Sequence, residues 1–257
     1  MNYRVTVPEM FGTKNVYTEA MLGKLLLILL LILGIYTVIL VVQSRHYLAE
    51  TEKLKDLTKD FPTTYTTAST GSATYTVLGD STVVGVGLTS FKQTIGYATA
   101  LSHNTPVSVS NFAVTGARLH DVLIDQLPKV PKRSSVVIVS ISGNDATHFT
   151  SENMFRGDLE LLLTSLTESG AEKILLTTTP SFTNTPALPL LLRSLVIRKA
   201  TSLSELIRTT AQQYSIVHVV DLHNGGVISA QEYASDGFHP SAKGYEKWAN
   251  LFTAANR

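Results

Sequence analysis

The chain has 257 residues, no cysteine, and 21 Lys+Arg against 20 Asp+Glu, for a formal charge of +1. Without cysteine there is no disulfide framework, no Cys-ligated zinc or iron–sulfur centre and no thiol nucleophile. The balanced charge leaves no electrostatic footprint for nucleic acid, and 44% hydrophobic residues suffice for a packed core.

Residues 1–24 are a short N-terminal tail carrying Arg4, Lys14 and Lys24. Residues 25–42 read LLLILLLILGIYTVILVV, uncharged and softened only by Gly34, Tyr36 and Thr37. Roughly 17–25 apolar residues span the hydrocarbon core as a helix, so a single membrane anchor is expected over 25–43. Lys24 and Arg45 bracket it where their charged heads reach the headgroups. A cleaved signal peptide is the rival, but such peptides have shorter apolar regions, and no small-x-small cleavage pattern directly follows Val42. A short tail, one span and a large following domain make the usual signal-anchor arrangement, which places the domain outside the cytoplasm. Charge counts on the two sides of the span do not separate the orientations, since Arg45, Lys53, Lys55 and Lys59 follow it.

Residues 44–74 read as a charged stalk and a linker. Residues 44–60 (SRHYLAETEKLKDLTKD) interleave charge with good helix formers, the pattern of a solvated helical continuation or a short coiled-coil stalk with too few heptads to imply a dimer. Pro62 ends it. Eight of the 13 residues in 62–74 (PTTYTTASTGSAT) are Ser or Thr, a composition that buries little apolar area and suits a flexible tether.

The remaining residues, 75–257, form one domain. Short β-branched runs occur at 75–78, 106–109, 135–141, 174–178 and 216–220, continuous in apolar character as in strands buried on both faces. Helical patterns lie between them at 89–102, 119–127, 155–169 and 190–214, and a last one at 242–254. In that last segment Tyr245, Trp248, Ala249 and Phe252 recur at i, i+3, i+4, i+7. Strand–helix alternation of this kind calls for right-handed crossovers and a parallel sheet with helices on both sides. In such sheets ligands bind beyond the carboxyl ends of the strands.

Four short motifs stand at those ends. Gly79-Asp80-Ser81 follows the first strand, where a serine hydroxyl faces the crevice and its N–H lies among unpaired helix N-terminal donors. Gly116 closes a turn after the second strand, and Ser142-Gly143-Asn144-Asp145 follows the third. Asp236-Gly237-Phe238-His239-Pro240 precedes the last helix, with a carboxylate three positions before an imidazole. Taken singly, each also reads as an ordinary cap, turn or surface loop. Asp80 and Asp145 read as braces for their loops, and His148 reads as an exposed loop residue or a substrate contact. Residues 181–196 (SFTNTPALPLLLRSLV) could wall or cover the crevice, or simply pack a helix on the sheet.

In this order and placement the four motifs resemble those of the SGNH (GDSL-type) hydrolase superfamily, over about 75–256. One position departs: Ser142 stands where family members often carry glycine. The resemblance implies a flavodoxin-like three-layer α/β/α sandwich with a five-stranded parallel sheet. It implies Ser81 as nucleophile, His239 as general base and Asp236 as its orienting carboxylate. Ser81 N–H, Gly116 N–H and the Asn144 side chain would form the oxyanion hole. It implies no metal or other cofactor. The expected partner is an acyl-ester substrate, such as an acetylated glycan or a small lipid ester, with the membrane held through the one N-terminal helix. The same residues would serve an O-acyltransferase, and a catalytically silent, membrane-tethered binding module is the alternative of another class. The oligomeric state is not legible.

Overall fold

A computed structural model of the protein describes residues 12–67 and 73–257. The first eleven residues of the tail and residues 68–72 of the predicted linker lie outside the described residues. The chain divides into two compact units, residues 1–45 and 46–257.

Helix α1 (Gly12–Thr58) contains the apolar run. Its side chains from Leu25 to Leu33 are each more than half exposed. A helix apolar on every face and this exposed is not a core helix; a membrane anchor and a signal sequence both have this pattern. Among the described residues it is the one helix long and apolar enough to cross a membrane.

The second unit is built on a mixed sheet of six strands. These are β1 (Thr64–Thr66), β2 (Ala73–Gly79), β3 (Val107–Asn111), β4 (Val136–Ser140), β5 (Ile174–Thr177) and β6 (Val217–Val220), in the order β1-β3-β2-β4-β5-β6. Strands β2 to β6 pair in parallel, with Val77 opposite Ile138 and Leu176 opposite Val219. All five predicted strands are present, each within a few residues of its expected ends. The sixth strand corrects the expected five-stranded, all-parallel sheet. β1 pairs antiparallel with β3, Tyr65 opposite Val109, inside the stretch that reads as a tether. Tyr65 explains the difference. Its ring packs against Phe91 and Tyr97 at centroid distances of 5.5 and 5.8 Å. One aromatic anchor among threonines, themselves good strand formers, is enough to hold a three-residue edge strand.

Alternating strand residues feed two cores. Val137 and Val139 join Leu176 under α6 (Glu152–Glu168) and α7 (Leu190–Ala211). Val136 and Ile138 join Val77 on the opposite face, under α8 (Ala242–Asn256) and the Ile95 side chain of α3 (Ile95–Leu101). Tyr245, Trp248 and Phe252 of α8 are all buried, as their spacing requires. The helix expected over 89–102 is interrupted. Thr94, extended at φ −67°, ψ 151°, ends a tight turn and caps α3 with its side chain. The segment expected as a helix over 119–127 is a short α turn, α4 (Leu119–Asp121), followed by a widened turn that carries Gln126 inward.

If residues 64–66 are a working edge strand, Tyr65→Ser is expected to lower unfolding free energy by about 1–3 kcal/mol through lost aromatic burial. Chemical denaturation of the full chain measures it; a free tether would show no change.

Candidate active site

The crevice begins where β2 and β4 end. A Cβ on Gly79 would stand 2.0 Å from the Ser140 carbonyl oxygen, so only glycine permits this approach. Gln126, fully buried, clamps the same glycine: its Oε1 accepts from Gly79 N–H at 2.8 Å and its Nε2 donates to Gly79 O at 2.9 Å. Asp80 then caps the short helix α2 (Ser81–Val84), accepting from Thr82 N–H at 2.9 Å and from the Thr82 hydroxyl at 2.7 Å. Ser81 is thereby held at the first helical position. Among the described residues no protein group accepts the N–H of Ser81.

His239 comes to Ser81 from the far end of the chain. Asp236 Oδ1 accepts the N–H groups of Phe238 and His239, each at 3.0 Å, which folds residues 236–239 into a tight loop. Asp236 Oδ2 accepts from His239 Nδ1–H at 2.5 Å. That bond leaves Nε2 without its proton, and the Ser81 hydroxyl donates to it at 2.8 Å. All three side chains are buried, Asp236 completely.

Burial alone would push the Asp236 carboxyl upward. The bond from His239, the charge of that ring and the two backbone N–H groups outweigh it and hold the group below its usual range. Asp80 behaves oppositely. Burial raises it to about 6, against the Thr82 bonds and the His239 charge, with Asp145 adding to the rise. Asp145 is also raised by burial, opposed by the bond it accepts from Leu119 N–H at 3.0 Å. Both Asp80 and Asp145 therefore brace loops.

Asn144, in α5 (Gly143–Thr147), borders the cavity beside Ser81. One of its two amide hydrogens goes to Ala117 O at 3.0 Å, joining the loops after β3 and β4. Gly116, at φ 85°, stands next to that carbonyl but lines a separate depression with Asp121, Asp125 and Gln126. Ser81, Asn144 and His239 thus share one cavity, and Gly116 lies on its neighbour. His148 is exposed and does not line the cavity.

Ser142 sits in left-handed backbone at φ 87°, ψ −11°, the region that glycine occupies freely. Its side chain does not enter the cavity; its hydroxyl bonds the Thr179 hydroxyl at 2.8 Å, fully buried.

The cavity, about 30 Å³, has walls of Pro180, Phe182, Tyr233, Phe238 and Trp248. Phe182, in left-handed backbone at φ 58°, packs on Phe238 at 5.9 Å, and Phe238 meets the His239 ring edge-on at 5.4 Å. Gln126 escapes a sequence reading, because no motif marks a buried glutamine. Phe182 falls in a stretch that reads as a possible wall, and Phe238 falls inside the 236–240 motif, which gives no sign of its packing. An acidic–imidazole–hydroxyl chain of this kind transfers a proton from serine as its oxygen attacks an electrophilic carbon.

The model of the GDSL-like lipase/acylhydrolase family matches residues 77–247. The chain belongs to this family. Solved structures with a similar fold include a chain from Slackia heliotrinireducens assigned as an SGNH hydrolase (19% identity, 71% of this chain, 98% of that one, TM-score 0.55). They include phospholipase A1 from Streptomyces albidoflavus (19%, 71%, 98%, TM-score 0.56). A mutant acetyl-xylooligosaccharide esterase from Geobacillus stearothermophilus is another (15%, 72%, 94%, TM-score 0.55). At these identities the likeness is one of fold. A search of curated proteins gave no match.

Two outcomes test the site's construction in this GDSL-family hydrolase. Ser142→Gly relieves about 1–2 kcal/mol of left-handed strain. It also frees the unfolded chain and strands the buried Thr179 hydroxyl, together costing roughly 1.5–4 kcal/mol. Net destabilisation of about 1 kcal/mol is expected, with recovery when Thr179→Val is added; denaturant unfolding of both variants measures it. For Asp80, a folded pKa of about 6 lies above the ordinary 3.8. The folded protein therefore holds a proton that the unfolded chain has lost, and the stability it brings, full below about pH 4, is lost as pH rises through 6. Asp80→Asn is expected to abolish that decline, on the order of 2–3 kcal/mol, in unfolding measured from pH 4 to 8.

Proposed function

We propose that the protein is a membrane-anchored serine esterase that hydrolyses O-acyl esters with a short acyl group, of the acetylated-glycan or small-lipid-ester kind. The observation that carries this reading is the continuous hydrogen-bonded chain from Ser81 through His239 to Asp236, opening on a cavity of only about 30 Å³. That volume admits one or two waters or a group of similar size. A long acyl chain requires a groove of several hundred Å³. The fold-level neighbours include an esterase of acetylated xylooligosaccharides and a phospholipase, so the choice of a short acyl group rests on the cavity.

In the proposed mechanism Ser81 Oγ attacks the ester carbonyl while His239 Nε2 takes its proton. Asp236 keeps the imidazole in the productive tautomer and stabilises the imidazolium. The developing oxyanion is met by Ser81 N–H and the second amide hydrogen of Asn144; Gly116, on the neighbouring depression, is not needed for these two donors. His239 then protonates the leaving alcohol. Water, deprotonated by the same nitrogen, releases the acyl group from Ser81. No step requires a metal or cofactor.

The proposed organisation is a tail over 1–24, an anchor over 25–43, a linking segment over 44–74 and the hydrolase domain over 75–257. The five parallel strands run in the order β3-β2-β4-β5-β6, the 2-1-3-4-5 order of flavodoxin-like sandwiches, with β1 added at one edge. The one membrane-length helix among the described residues supports the anchor, and the catalytic domain is proposed to lie outside the cytoplasm.

Ser81→Ala is expected to abolish hydrolysis of p-nitrophenyl acetate and labelling by a fluorophosphonate, with unfolding unchanged. Asn144→Ala is expected to lower kcat by about 100–1000-fold with little change in KM. Across a series of p-nitrophenyl esters, kcat/KM is expected to fall steeply beyond acetyl and propionyl. Undiminished turnover by Ser81→Ala would overturn the assignment; equal rates on long acyl esters would overturn the short-acyl choice.

A further inference from the structure

Residues 46–58 read as a solvated stalk, yet they belong to the same compact unit as Ser81, His239 and Asp236. Tyr47, Thr51, Leu54 and Thr58 recur at i, i+4, i+7 and i+11, one face of the helix. Leu54 and Thr58 on that face are buried. Tyr47 lies against the loop that carries the catalytic pair: its Cε1 stands 2.9 Å from where a Cβ on Gly237 would be. Thr51 Oγ1 lies 3.1 Å from Asp236 Oδ2. Beyond the helix, Phe61 stands 3.5 Å from the corresponding Cβ position on Gly85, the residue that ends α2. The helix therefore meets the Asp236–His239 loop, and Phe61 just after it meets the end of the helix that begins with Ser81.

The Thr51 hydroxyl has one proton and two acceptors in reach, Tyr47 O at 2.9 Å and Asp236 Oδ2 at 3.1 Å. Asp236 already takes two backbone N–H groups on Oδ1 and the imidazole N–H on Oδ2, the bonding pattern of a carboxylate with no proton to give. Two oxygens this close attract only if Thr51 is the donor, and bonds to a charged acceptor are roughly twice as strong as neutral ones. The proton accordingly points at Asp236.

We propose that Thr51 is a positioning residue for the esterase reaction: its hydroxyl fixes Asp236 Oδ2 against His239 Nδ1, and the 46–58 helix is a working part of the active site. This rests on the catalytic reading of Ser81, His239 and Asp236. The bond has a directional effect. A donor to Oδ2 draws charge from the oxygen that faces the imidazole. Removing it leaves the carboxylate more basic and the imidazolium better stabilised, so the acid limb of the pH–rate profile moves upward. The other ionisable groups around this pair are Asp80, Tyr233 and Tyr245 from the domain, and Tyr47 and Glu50 from the helix, Glu50 through its bond with Ser235. Val at position 51 matches Thr in shape and leaves all of them in place.

The test uses the full chain in detergent micelles, with p-nitrophenyl acetate as substrate and fluorophosphonate labelling as the check on Ser81. Thr51→Val is expected to lower kcat about tenfold, to leave KM within about twofold, and to raise the acid limb of kcat/KM by about half a pH unit. Thr51→Ser keeps the hydroxyl and is expected to restore both. A purely structural role would lower the unfolding midpoint without moving the pH limb. If the wild type is active and labelled, and Thr51→Val matches it in kcat and pH limb, the positioning role is overturned while the esterase reading stands. If the wild type is neither labelled nor active, the esterase reading itself fails.

Discussion

The close approach of β2 to β4 at their carboxyl ends is the constraint from which the site follows. Gly79 has no room for a side chain beside Ser140 O. The chain must therefore turn immediately, and Asp80 caps the turn. The same contact puts Ser81 and Asn144 on one rim, because each follows its strand by a few residues. Gln126 holds both backbone groups of Gly79, and Asn144 ties its own loop to the one after β3. Each of these bonds joins residues distant in sequence, and each removes freedom from the loop that carries a reacting or stabilising group.

Three carboxyl groups lie buried around this rim, and their surroundings divide their duties. Asp236 receives two backbone N–H groups and an imidazole, enough to keep it charged in spite of burial. Asp80 and Asp145 have fewer donors, and burial dominates. The proposed mechanism calls for a charged carboxylate beside His239, where an imidazolium would form during proton transfer. Beside Ser81, burial shifts Asp80 toward its protonated form, with a pKa raised to about 6. Phe182 and Phe238 pack on each other in the wall of the cavity, at a centroid distance of 5.9 Å.

The segment between the apolar helix and the first parallel strand shows how much composition can conceal. Its charge-rich helix and threonine-rich continuation look solvated, and most of their side chains are. A few positions decide otherwise: Leu54 and Thr58 are buried, Phe61 and Tyr65 pack on the core, and Thr51 reaches Asp236. Two or three anchors per ten residues are enough to bind a segment whose mean composition is polar, and averages over a window do not register them.

The sequence by itself determined a great deal. Period-free apolar runs located five strands, three of them largely buried and β3 and β6 only in part, and the spacing of Tyr245, Trp248 and Phe252 located the last helix. Ser81, Asn144, Asp236 and His239 were legible because small residues, glycines and strand ends mark them locally. The membrane-length helix was legible from length and charge alone. Only the tertiary structure decided the sixth strand, the left-handed Ser142 bonded to Thr179, the separation of Gly116 from the cavity of Ser81, and the approach of Thr51 to Asp236. The division has a physical cause. Local propensity and periodicity are encoded in neighbouring residues. Contacts such as Thr51 with Asp236, 185 positions apart, exist only once packing has brought distant surfaces together.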